Sequence, residues 1–74
     1  MDEDALHRAL SRLEEAIGLV AEPLRKDLLL DARALRLESF RPTLLRPRAL
    51  ARVRELARRP ELSAACAELE RVLG

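Results

Sequence analysis

With 74 residues, one cysteine and one histidine, this chain is expected to be a single domain, supported by neither an internal disulfide nor a closed Cys and His zinc set. A chain so short buries only about 60% of the surface its unfolded form exposes, so its stability must come from helix packing or from association. The net charge of +1 conceals a segregation: residues 1–31 carry eight acids and four bases, residues 32–59 nine bases and two acids, and residues 60–74 three acids and one base.

The apolar residues are almost all Leu and Ala, with one Ile and one aromatic, Phe40, a composition of helices rather than strands. No apolar run approaches the roughly 20 residues that span a bilayer, and the opening Met-Asp-Glu-Asp lacks the basic stretch of a signal peptide. A lone Cys66 fits a reducing compartment, so the expected setting is the cytoplasm. Pro23, Pro42, Pro47 and Pro60 punctuate the chain, each suited to the first turn of a helix, where a missing N–H costs nothing. The expected fold class is therefore all-α: a small bundle of about four amphipathic helices with Pro-marked breaks over residues 1–74, closed by the chain alone or completed by dimerisation.

In the first segment Leu6, Leu10, Leu13, Ile17 and Val20 step by heptad spacings, which predicts a helix from about Glu3 to Ala21. Asp2, Glu3 and Asp4 stand at its start, where the helix dipole favours negative charge. Pro23 opens a second helix to about Ser39 that is apolar on two sides. Leu24, Leu28, Ala32 and Leu35 make one stripe; Leu29, Leu30, Leu37 and Phe40 make the other, interrupted by Lys26 and Arg33. A helix apolar on both faces is normally buried on both, so this one is expected either at the centre of a bundle or against a second subunit. Arg41 to Arg46 is the main break, because Pro42 and Pro47 disfavour helical geometry at the residue before each. A third helix follows from about Pro47 to Arg58, burying Ala49, Leu50, Val53, Leu56 and Ala57. Pro60 starts the last, in which Leu62, Cys66, Leu69 and Leu73 repeat the heptad steps up to Gly74.

Three functional readings compete. On the third helix Arg48, Arg52 and Arg59 fall within about 40° of one another at 100° per residue, opposite Leu50. Such a stripe suits successive phosphates of a nucleic acid, yet no Tyr, Trp or Gly-rich element accompanies it to stack bases, and acidic segments of the same chain offer nearer ligands. The stretch RELARRPELSAACAELERVLG resembles a helix-turn-helix in spacing, but its turn has Pro60-Glu61 and no Gly. Its second helix would present Glu68 and Glu70 to DNA with Arg71 as the one base.

For catalysis, Cys66 falls on the apolar seam between Leu62 and Leu69, where a thiol is a core residue and not an activated nucleophile. His7 shares a helical face with Glu3 and Asp4, as a metal pair would, but reads more simply as a solvated side chain. Asp27 and Asp31, one turn apart, are expected to meet arginines of a neighbouring helix. No phosphate loop, catalytic triad, metal set or cofactor motif is present, so no enzyme is expected. The third reading is association. The chain is expected to be a non-catalytic protein–protein interaction module that binds another chain or its own copy. Leu29, Leu30, Leu37 and Phe40 would anchor it, with nucleic-acid binding through Arg48, Arg52 and Arg59 as the alternative.

Overall fold

The first helix begins where the sequence supplies a cap. In the computed structural model, which describes residues 2–40 and 46–74, the Asp2 carboxylate accepts hydrogen bonds from the backbone N–H groups of Asp4 at 3.0 Å and Ala5 at 3.2 Å. These are two of the donors a helix start leaves without intrahelical partners. Helix α1 spans Glu3–Gly18, α2 Leu24–Ser39, α3 Arg46–Leu56 and α4 Ser63–Leu73. α1 stops three residues earlier than the heptad pattern suggests. Past Gly18 the chain has to turn toward Pro23, which disfavours helical geometry at Glu22. α4 is preceded by a single 3-10 turn, Pro60–Leu62, in which Pro60 supplies the fixed φ of a helix start. α3 includes Arg46, one residue before the proline expected to open it. The rest of the expected break, residues 41–45, lies outside the described residues.

The helices are arranged in a ring: α1 packs on α2 and α4, and α3 packs on the same two. Each contributes one stripe to a common core. Leu6, Ala9, Leu10, Leu13 and Ile17 come from α1, and Leu28, Ala32 and Leu35 from α2. Ala49, Val53 and Leu56 come from α3, and Leu62, Cys66, Leu69 and Leu73 from the C-terminal stretch. Val20, Leu24, Leu50 and Ala57 pack at its margin. The radius of gyration, 11.3 Å, matches the about 11 Å of a compact domain of this length. The all-α bundle is thus a closed ring around its own core.

This arrangement corrects one expectation. α2 is not a central helix, because a ring of four has no centre and every member keeps an outward side. Leu28, Ala32 and Leu35 of its first apolar stripe are buried, with Leu24 at the margin, and the second stripe faces solvent.

Candidate interaction surface

Along α2 the same residue type meets opposite environments. Leu28, Ala32 and Leu35 are 3%, 1% and 0% exposed, whereas Leu29, Leu30 and Leu37 are 43%, 58% and 59% exposed and Phe40 37%. Lys26 and Arg33 stand on the same outward side, both exposed. The four residues read from the sequence as anchors therefore lie on one accessible face. Phe40 is the least available of them. Its ring stacks on that of His7 with centroids 4.4 Å apart, tying the end of α2 to α1.

The flanks of this face are held by ion pairs across the helix contacts. Arg36 donates to the Glu14 carboxylate from Nε at 3.1 Å and from Nη2 at 2.9 Å, joining α2 to α1. Its Nη1 lies 3.1 Å from His7 Nδ1. A guanidinium can only donate, so Nδ1 is the accepting atom of that hydrogen bond. On the other flank Arg52 of α3 donates to Glu38 at 2.8 Å and to Asp31 at 3.3 Å. Arg12 clasps Glu68 between α1 and α4, and Arg54 meets Glu70 at 3.0 Å between α3 and α4. Each of the four helix contacts in the ring thus carries an Arg–carboxylate clasp. The acidic, basic, acidic order of the chain is answered within the fold, since basic α3 sits between α2 and α4 and pairs with acids of both.

That pairing changes the basic stripe. Arg48 and Arg52 lie on α3, but the helix ends at Leu56, short of the expected Arg58, and Arg59 follows in extended backbone before Pro60. The helical wheel therefore does not reach Arg59, and the three arginines form no single stripe; Arg52, moreover, is spent on Glu38 and Asp31. Arg48 and Arg59 remain without an ion pair among the described residues. Arg48 lines an open groove between α2 and α3 together with Asp31, Glu38, Arg52 and Glu55, so acids share the groove with it. On α4, Glu68 and Glu70 are engaged in the clasps, and Arg71 is exposed beside the small Ala64 and Ala67. The stretch that resembles a helix-turn-helix presents one base to solvent there.

The reactive candidates are placed as follows. Cys66 is fully buried, and burial first, then the nearby Glu70 charge, pushes its thiol up from 9.0 to about 11. A thiol held protonated at neutral pH is a poor nucleophile. His7 is exposed but does more than meet water, through Phe40 and Arg36. Asp31 pairs with Arg52, while Asp27 makes no ion pair among the described residues. Among the described residues no three His, Cys, Asp or Glu side chains converge to hold a metal ion, and no helix is long and apolar enough to cross a membrane.

Leu19 escaped the sequence reading altogether. It is 91% exposed and borders an open cleft lined by Ala16, Val20, Leu24 and Glu61. It stands about 200° from Ile17 on the wheel, so the signal was present as a Leu opposite the seam. No family model matches this chain, and no curated protein or solved structure matches it.

Proposed function

We propose that this chain is a small non-catalytic protein–protein interaction module, an adaptor or regulatory subunit, that docks through the outer face of α2. The observation that carries the reading is the exposure of Leu29, Leu30 and Leu37 together on one side of a helix whose inner side already closes the core. A run of large apolar side chains in water is a standing free-energy cost of about 25 cal/mol per Å², and contiguous exposed apolar surface marks interaction sites. The flanking clasps support it too, because they hold α2 rigid and spare the partner the cost of ordering it. The same proposal places the protein in the cytoplasm, on its single unpaired cysteine. Nucleic-acid binding ranks second, since one of its three arginines already serves Glu38 and Asp31.

The test is site-specific photocrosslinking with benzoylphenylalanine in place of Ala34, on the edge of the face, in the cells that make the protein. Discrete adducts should form and should disappear when Leu30→Glu and Leu37→Glu are added. Adducts that persist unchanged with both glutamates, or none at all, would sink the proposal.

A further inference from the structure

We infer that the outer face of α2 rejects its own copy and accepts an amphipathic helix that carries carboxylates along its apolar seam. The inference rests on the docking reading above and names the partner's chemistry. At about 100° per residue, Lys26, Leu30, Arg33 and Leu37 fall within about 60° of one another and form the outermost line of the helix. Two of these four positions are cations, and neither Lys26 nor Arg33 has an ion pair among the described residues. The acids of α2 stand well round on one flank. Asp31 and Glu38 are held there by Arg52, and Asp27 is exposed beside them. On the other flank Arg25 is paired with Glu22 and Arg36 with Glu14.

Symmetry then decides against a second copy. A two-fold contact brings a surface against itself. If two α2 helices pair in parallel, Lys26 meets Lys26 and Arg33 meets Arg33. If they pair antiparallel, Lys26 and Arg33 pack among leucines without counterions and the acid flank lies beside its own copy, with Asp27, Asp31 and Glu38 outnumbering the one Arg52 that serves them on each side. Every arrangement desolvates cations without counterions or lines up like charges, and both are unfavourable. A partner with carboxylates opposite Lys26 and Arg33 and apolar residues opposite Leu30 and Leu37 satisfies the whole line. A polar residue at a seam position is a known device for choosing among partners.

An anionic membrane surface shares the basic and apolar chemistry but fits less well. The outermost line of α2 offers a lipid surface only two cations and no aromatic anchor, since Phe40 is engaged with His7.

A charge-reversed copy of this chain presents the inferred partner chemistry on a known scaffold. Sedimentation equilibrium over a concentration series is measured for the wild type, for Lys26→Glu/Arg33→Glu, and for their equimolar mixture, with circular dichroism confirming that the variant is helical. Lys26→Asp/Arg33→Asp serves as the second version if the first does not fold. Each protein alone should sediment as one chain of 8.4 kDa, and the mixture should rise toward twice that mass and fall back at high salt. A mixture that stays at one-chain mass overturns the inference. So does a wild type that is already twofold, and if Leu30→Glu/Leu37→Glu returns it to one chain, the docking reading survives. Retention of the wild type on phosphatidylserine vesicles, with no association in the mixture, assigns the face to lipid and overturns the inference as well.

Discussion

Both sides of α2 carry leucines, and the two sides do different work. On the inner side, Leu28, Ala32 and Leu35 are covered by the neighbouring helices; on the outer side, Leu29, Leu30 and Leu37 stay 43%, 58% and 59% exposed. Leucine content alone therefore says little about where the core lies. The number of neighbours a helix has decides it, and in a ring of four each helix has two. The inner side holds the fold together, and the outer side is surplus to it. That surplus is the basis of the functional reading.

The largest expected effect is on the inner side. Leu35→Ala removes a fully buried side chain from the shared core and should cost about 2–5 kcal/mol, a large part of the stability of a domain this small. Urea unfolding monitored by circular dichroism checks it, and a loss below about 1 kcal/mol would mean that the two sides are less different than their exposures indicate.

Cys66 sharpens the contrast with a chemical probe of dryness. Its folded-state value is raised to about 11 from 9.0, so the unfolded chain loses its proton first as pH rises. The associated stability is fully present below pH 9 and is lost as pH climbs to about 11, about 2–3 kcal/mol in all. Cys66→Ala should lack that component of the alkaline decline, seen as wild-type and variant urea midpoints converging between these two pH values. Midpoints that keep a constant separation would show that the seam around Cys66 is wet.

Much of this inner architecture was legible in the sequence. The steps Leu6, Leu10, Leu13, Ile17 and Leu62, Cys66, Leu69, Leu73 appear in the structure as buried stripes, because a 3.6-residue period leaves little choice of face. The prolines marked the breaks to within a few residues. The second stripe of α2 was legible as apolar, but its exposure was not, since a wheel treats both sides of a helix alike and only the ring arrangement separates them. Charge segregation was visible along the chain, while the partners of Arg52, Arg36 and Arg12 depend on which helices become neighbours. The His7–Phe40 stack joins positions far apart in sequence and left no local trace.

The claim that ties these points together is that Leu30 and Leu37, on the outer side of α2, contribute almost nothing to the fold. The most direct measurement is the urea midpoint of Leu30→Glu/Leu37→Glu beside that of the wild type. Both side chains are more than half exposed, so each change should alter stability by no more than about 0.5 kcal/mol, and the variant should remain a compact helical protein. If the double variant unfolds, or loses as much stability as Leu35→Ala, the outer stripe is core and the docking face does not exist.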